Sequence, residues 1–146
     1  MFHENIIQNK NKFLELTDYH IEQLDKNYKV KKVLKDIFFS IKLTANKKPL
    51  LVTFAKTMHF FLNNLIVPID RTYIIKYFTN KTDFSNNIND QWELFIEIEK
   101  EFSKFSNEID LEIYVNNDRW NLCKTKIMDN MIIGLQNYYD KIIVNI

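Results

Sequence analysis

The chain has 146 residues, a formal net charge of +1, one Gly, two Pro and one Cys. So small a net charge excludes a strong global field that would recruit nucleic acid or an anionic membrane. A lone cysteine excludes an intrachain disulfide, which fits a reducing cytoplasm, and the shortage of Gly and Pro disfavours a sheet protein with many tight turns. Length and composition predict one all-α domain over residues 1–146.

The first part of the chain predicts three helices. An N-terminal helix is expected over 5–16, with four apolar residues facing inward: Ile6, Ile7, Phe13 and Leu14. Asp18 is expected to cap a second short helix that ends at Leu24. The third helix has the clearest pattern, because apolar residues recur at i, i+3, i+4 and i+7. Its inward positions are Val30, Val33, Leu34, Ile37, Phe38 and Ile41.

Pro49 suits the first turn of the next helix, which is predicted to end before the pair Val67–Pro68. One apolar stripe runs along this helix: Leu51, Phe54, Met58, Phe61, Leu62 and Leu65. Asp70 is expected to cap a short helix over 71–78. The polar, Asn-rich stretch 79–89 is predicted to be a loop.

Two long helices are predicted after this loop. Asp90 and Glu93 resemble a capping box at the start of the first, and one of its faces carries Trp92, Phe95, Ile96, Glu99, Phe102 and Ile109. The last helix, of about 25 residues, carries Trp120, Cys123, Ile127, Met131, Leu135, Tyr138 and Ile142. Residues 109–115 alternate as in a strand, but a helix is preferred because no second strand with turn chemistry flanks them.

The sequence contains no recognisable catalytic or metal-binding motif. His3, His20 and His59 are the only histidines, none has the spacing of a zinc site, and Cys123 has no cysteine partner. His59 lies beside the apolar stripe of its helix. It is interpreted as a hydrogen-bonded, partly buried histidine, with a ligand-facing role as the alternative.

Charged runs are interpreted as solvated helix faces. Glu93, Glu97 and Glu101 repeat at i+4, but paired carboxylates act in acid–base chemistry only where a pocket perturbs them. The basic segment 26–32 contains one aromatic residue, so no nucleic-acid partner is predicted. No run of about 18 apolar residues exists, so no membrane span is predicted. The N-terminus lacks the apolar region of a signal peptide.

The order of the predicted helices is similar to that of a globin, which ends in two long helices preceded by a shorter one. In globins that shorter helix supplies the haem-ligating histidine. The corresponding segment, Arg71-Thr72-Tyr73-Ile74-Ile75-Lys76-Tyr77-Phe78, contains none. The chain therefore resembles the haem-less globin-like sensor domains of sporulation histidine kinases in Bacillus, most of all their stand-alone homologues. The resemblance runs from about Asn5 to Ile146 and includes the aromatic stripe Phe54–Leu65.

This resemblance implies a haem-free homodimer with a fatty-acid-sized apolar tunnel where haem would sit. It also implies a regulatory role, in which the protein draws a signal away from a kinase and inhibits sporulation. The residues expected to line such a tunnel are Phe38, Phe54, Met58, Phe61 and Leu62. The candidates that would hold a carboxylate at its mouth are Lys56, His59 and Arg71.

The homodimer is also predicted from the residues themselves. Both C-terminal helices carry apolar residues on more than one face, so each needs two burial partners, and a second subunit is the natural second partner. The alternative function is a small helical protein–protein interaction module, such as an antitoxin or phage-type inhibitor, with a solid core and no ligand. Neither function is enzymatic.

Overall fold

The computed structural model describes residues 2–43, 50–116, 118 and 120–144, and side chains between residues 3 and 138 of these. Within the described ranges the fold is all-α, as predicted, and contains no strand. The helices are α1 (Phe2–Gln8), α2 (Lys10–Leu16), α3 (Ile21–Leu24), α4 (Tyr28–Ser40), α5 (Leu50–Phe61), α6 (Lys76–Thr79), α7 (Ile88–Glu108) and α8 (Lys124–Val144). A π-helical turn, Arg71–Ile75, leads directly into α6. Pro49 lies outside the described residues.

The inward face of α1 and α2 differs from the one predicted. Ile7 and Leu14 are each 56% exposed, whereas Asn5 and Asn9 are buried together with Phe13 and Leu16. Two polar side chains occupy this face because each has hydrogen-bond partners there. Asn9 donates to the Asn5 carbonyl at 2.9 Å and accepts from the Ser40 hydroxyl at 3.1 Å. The spacing of apolar residues does not predict a buried helix face that includes Asn side chains.

The caps of α3 and α4 follow local hydrogen bonding. Asp18 is exposed and does not cap α3; His20 is its N-cap, and the Gln23 side chain accepts from the His20 N–H at 2.8 Å. Asn27 caps α4, where its side-chain oxygen accepts from the N–H groups of Lys29 and Val30. The buried face of α4 is the one predicted, with Val30, Leu34, Ile37 and Phe38 inside.

These caps give a matched pair of variants. Asn27→Ala removes an acceptor from two amides at the start of α4, so it is expected to lower the free energy of unfolding by about 1 kcal/mol. Asp18→Ala removes an exposed side chain that caps nothing, so it is expected to change that free energy by less than about 0.5 kcal/mol. Urea denaturation of both variants measures the difference. A larger loss for Asp18→Ala would contradict this assignment of the caps.

Helix α7 is the scaffold on which α3, α4 and α5 pack. Buried polar side chains on α7 form hydrogen bonds with the backbone at the ends of neighbouring helices. The Gln91 side-chain oxygen accepts from the N–H groups of Leu50 and Leu51 at 2.6 and 3.1 Å, which caps the start of α5. The Ser103 hydroxyl accepts from the Asp25 N–H at 3.1 Å, just after α3.

Three predicted helix boundaries are corrected. Helix α7 starts at Ile88 with Asn87 as its N-cap, not at Asp90, because the Asn87 side chain accepts from the Asn89 N–H. Residues 109–115 form neither the predicted helix nor a strand: α7 ends at Glu108, and one 3-10 turn covers Glu112–Tyr114. Helix α8 starts at Lys124, so Trp120 and Cys123 precede it. The predicted cap at Asp70 is confirmed, since it accepts from the Tyr73 N–H at 2.8 Å.

The buried face of α8 is rotated from the predicted stripe. Ile127, Met128 and Ile132 are buried, whereas Met131 and Leu135 are 38% and 40% exposed. Apolar residues surround more of this helix than a single stripe does, so periodicity alone does not choose the buried face. Packing against the π-helical turn and against the 3-10 turn Glu112–Tyr114 chooses it. Ile142 lies in the part of α8 whose side chains are not described.

Candidate functional site

Three residues predicted as tunnel walls lie in the close-packed core. Phe38, Phe54 and Met58 have no exposed surface. The ring centroid of Phe38 lies 4.8 Å from that of Phe54 and 5.4 Å from that of Trp92, and Phe54 lies 5.2 Å from Phe95. Rings in such edge-on arrangements stabilise one another beyond the burial of their area. Rings from α4, α5 and α7 therefore pack against one another between these helices.

The other two predicted wall residues lie at the end of α5. Leu62 is buried just beyond the helix, but Phe61 is 39% exposed. The Phe61 ring lies 5.5 Å from that of Phe13 on α2. The prediction that Phe61 belongs to the buried stripe is wrong. Position 61 falls at the edge of the helix face formed by positions 51, 54, 58 and 62. The predicted wall is therefore not a continuous surface.

The three candidates for a polar mouth separate into two places. Lys56 and His59 line the same surface cleft. Arg71 does not line it; the Arg71 guanidinium lies 5.0 Å from the centre of the Phe84 ring, in the loop before α7. A cation over an aromatic face is a stabilising arrangement, so Arg71 has a structural partner outside the cleft.

The cleft lies between the C-terminal part of α5, the π-helical turn and α8. Its volume is about 600 Å³. Two Lys, two Asp and one His line it together with Thr, apolar and aromatic side chains. The lining residues are Lys56, His59, Pro68, Asp70, Thr72, Tyr73, Lys126, Asp129 and Ile133. We call this set the polar cleft.

His59 is held in one orientation by the backbone. Its Nδ1 lies 2.7 Å from the carbonyl oxygen of Ile66. A carbonyl only accepts, so Nδ1 carries the proton and Nε2 keeps the lone pair. Burial lowers the pKa of His59 from 6.5 and the Lys126 charge lowers it further, against the opposing effects of the Ile66 hydrogen bond and of Asp129. At neutral pH the ring is therefore a neutral acceptor.

Asp129 is the buried acid of the polar cleft. It is 5% exposed, and its carboxylate pairs with the Lys126 ammonium at 2.5 Å. Burial raises the pKa of Asp129 above its ordinary value of 3.8, and the negative charge of Asp70 raises it further, while Lys126 opposes both. Asp70 and Asp129 both line the cleft, so the cleft contains two carboxylates.

A second concave surface lies on a different face of α8, between α8, α7 and α6. Its volume is about 310 Å³. The floor is made of aromatic, Met, Ile and Leu side chains, and charged residues of α7 form one edge. The lining residues are Tyr77, Phe78, Glu101, Phe102, Lys104, Phe105, Glu108, Met128, Met131, Ile132 and Leu135. We call this set the apolar groove.

The charged edge of the apolar groove is mainly acidic. Glu101 and Glu108 line it with Lys104, whose ammonium is paired with Glu101 at 2.5 Å. Glu93 and Glu97 are exposed on the preceding turns of α7, which confirms the predicted solvated acidic face. An apolar floor beside this acidic row suits a ligand that is apolar on one side and basic on the other.

The sequence did not identify the apolar groove, because it placed Met131 and Leu135 in the core. The signal was nonetheless present: α8 carries apolar residues on more than one face, and such a helix needs a second partner.

Glu99 is a buried acid in the core, on the face of α7 that the sequence placed inward. It has no exposed surface, and its Oε2 accepts from the Val67 N–H at 3.1 Å, while Oε1 has no hydrogen-bond partner among the residues that the structure describes. Burial raises the pKa of Glu99 well above its ordinary value of 4.5, and the Val67 hydrogen bond opposes this only in part. The buried carboxyl is therefore stable mainly in its neutral form.

Comparison with known proteins assigns the chain to no family. Neither a protein-family model, nor a curated protein, nor a solved structure matches the chain. The globin-like arrangement therefore stays a prediction. In the described part of the chain no group of three or more His, Cys, Asp or Glu residues is placed to hold a metal ion. No helix among the same residues is long and apolar enough to cross a membrane.

Proposed function

We propose that the protein is a non-enzymatic regulatory module that binds an amphipathic helix of a partner protein in the apolar groove. The observation that carries this proposal is the exposure of Met131 and Leu135 on the wall of a preformed apolar concavity. Apolar side chains that line a concave surface open to solvent are typical of interaction sites.

The shape and chemistry of the groove suit a helix. Apolar residues of two long helices, α7 and α8, line the groove, and an amphipathic helix places anchors at i, i+3 or i+4, and i+7 into an apolar groove. Met128 and Met131 supply flexible, polarisable surface that adapts to different apolar side chains. Phe102 and Phe105 supply rigid surface from α7. The groove is large enough for a few anchoring side chains rather than for a whole domain.

Charge favours a basic partner over a second copy of this chain. The α7 edge carries Glu101 and Glu108 against Lys104, with Glu97 one turn earlier. Two copies related by a two-fold axis through this groove would bring the same acidic rows together, and facing like charges disfavour association. A partner helix with Lys or Arg beside its apolar anchors complements the row. The homodimer stays a prediction with less support than this partner.

Charge also disfavours a fatty acid in this groove. The carboxylate of the ligand would approach an acidic edge, and an unpaired charge beside an apolar floor is costly. In the predicted tunnel region, Phe38 and Phe54 pack against neighbouring rings, and Met58 is fully buried. The fatty-acid sensor and its place in a sporulation kinase pathway stay predictions from the resemblance. The helical interaction module is better supported.

A displayed library of random helical peptides tests the proposal. Peptides selected on the wild-type protein should carry apolar residues at helical spacing with Lys or Arg beside them. Leu135→Glu places a charge on the groove wall, so it is expected to weaken their binding at least about tenfold, a change of roughly 1.4 kcal/mol. The matched control is Leu14→Glu, at an exposed leucine of α2, which should bind the peptides like the wild type.

Three results would overturn this proposal. Equal binding to wild type and Leu135→Glu would place the peptides elsewhere. A lipid retained by the wild type in native mass spectrometry and lost from Leu135→Glu would make the groove a lipid site. A dimer in sedimentation that Leu135→Glu dissociates would make a second copy the occupant.

A further inference from the structure

Three groups that line the polar cleft each have an acceptor that can take a further hydrogen bond. His59 Nε2 is an acceptor because Nδ1 donates to Ile66. Asp129 engages Lys126 through Oδ2, and Asp70 engages the Tyr73 N–H through Oδ1. Each carboxylate therefore has a second oxygen for another partner. A primary ammonium has three donors and no acceptor, so its hydrogen-bonding capacity matches these three groups.

The charges of the polar cleft sum to zero. Lys56 and Lys126 supply two positive charges, Asp70 and Asp129 supply two negative charges, and His59 is neutral. Lys126 and Asp70 both act on the carboxyl of Asp129, and Lys126 and Asp129 both act on His59. Lys56 is exposed one helical turn before His59 on α5. Residues three apart are neighbours on a helix surface, so the Lys56 ammonium can pair with an anionic group that lies beside the His59 ring.

Other walls of the polar cleft are apolar or aromatic. Pro68, Tyr73 and Ile133 line the cleft with the charged groups. An aromatic face attracts an ammonium, and apolar walls suit the carbon part of a ligand. The volume of about 600 Å³ falls within the usual range for small-molecule sites.

We infer that the polar cleft is a binding site for a free α-amino acid, whose ammonium lies among Asp70, Asp129 and His59 and whose carboxylate pairs with Lys56. The cleft uses residues 126, 129 and 133 of α8, and the apolar groove uses residues 128, 131, 132 and 135. The two sites share no residue, so this inference does not rest on the proposed function.

The test is an amide NMR titration of the whole protein with the common L-amino acids, first mixed and then singly, each at about 1 mM or above. The expected result is saturable shifts at His59, Tyr73 and Asp129 with at least one of them. The same amino acids with an acetylated amino group keep the carboxylate and lose the ammonium, and they should cause no such shifts.

Two variants test the recognition of the ammonium and of the carboxylate separately. Asp70→Asn keeps a good helix cap and removes the charge, so it should weaken binding of the amino acid at least about tenfold, which corresponds to roughly 1.4 kcal/mol. Lys56→Gln, at an exposed position, should weaken it as well, by several-fold. Glu97→Gln, exposed on α7 and outside the cleft, is the control and should bind normally.

The inference is overturned if no amino acid shifts these amides, if the acetylated compounds shift them equally, or if Asp70→Asn binds as tightly as the wild type. None of these results affects peptide binding in the apolar groove. Loss of peptide binding in Leu135→Glu, conversely, does not depend on the polar cleft, so the two proposals fail separately.

Discussion

Phe38→Ala is expected to lower the free energy of unfolding by about 3–5 kcal/mol, because it removes a fully buried ring from a close-packed cluster. The ring contacts Phe54 and Trp92 at centroid distances of 4.8 and 5.4 Å, so the variant loses both burial and aromatic pairing. Phe38→Leu keeps much of the volume and should lose about 1–2 kcal/mol. Chemical denaturation measures both variants.

The control is Phe60→Ala on the neighbouring helix. Phe60 is 80% exposed, so its removal should change the free energy of unfolding by less than about 0.5 kcal/mol. If Phe38 instead lines a ligand-filled tunnel, Phe38→Ala is expected to have a different effect. In that case Phe38→Ala would release a bound lipid and leave the stability of the protein almost unchanged, which would contradict the close-packed core described above.

Glu99→Gln is expected to stabilise the protein at neutral and alkaline pH and to have little effect near pH 4. The pKa of Glu99 is raised well above 4.5 by burial. Below about pH 4.5 both the folded and the unfolded chain carry the proton, so the acid imposes no penalty. Above that pH the unfolded chain releases the proton while the folded chain keeps it. Stability then falls by up to about 1.4 kcal/mol per pH unit until the pH passes the folded-state pKa.

Glutamine keeps an oxygen for the Val67 N–H and removes this proton linkage. Denaturation of wild type and variant should therefore diverge steadily as the pH rises from 4.5 to neutrality. Glu97→Gln is the control, because Glu97 is exposed on the same helix and should leave the pH dependence nearly unchanged. A wild-type stability that does not fall with pH relative to Glu99→Gln would show that a partner stabilises the buried carboxylate.

Helices with one apolar face were predictable from the sequence. In α4 the residues Val30, Leu34, Ile37 and Phe38 are buried as their spacing predicted, because only one arrangement buries them all. In α8 the same reasoning placed Ile127 correctly but Met131 and Leu135 wrongly, since Met128 and Ile132 compete with these two at similar spacing. Neighbouring helices decide between such faces, and their positions are not encoded in local periodicity.

Polar residues in the interior were not predictable in the same way. Asn9 and Gln91 are buried because their amides meet backbone or hydroxyl groups that are distant in sequence. Lys56 and His59 were predicted together at a polar mouth, and they do line one cleft. Asp129 was not predicted there, because it comes from α8, about seventy residues later. The cleft exists only once α5 and α8 are brought together.

The assignment of the apolar groove is tested most directly by a chemical-shift map of the wild-type protein titrated with a selected helical peptide. We expect the largest amide shifts in α6, in residues 101–108 of α7 and in residues 128–135 of α8, and we expect Leu135→Glu to abolish them. Largest shifts on α1 and α2, or an unchanged map in Leu135→Glu, would contradict the claim that this groove is the functional surface.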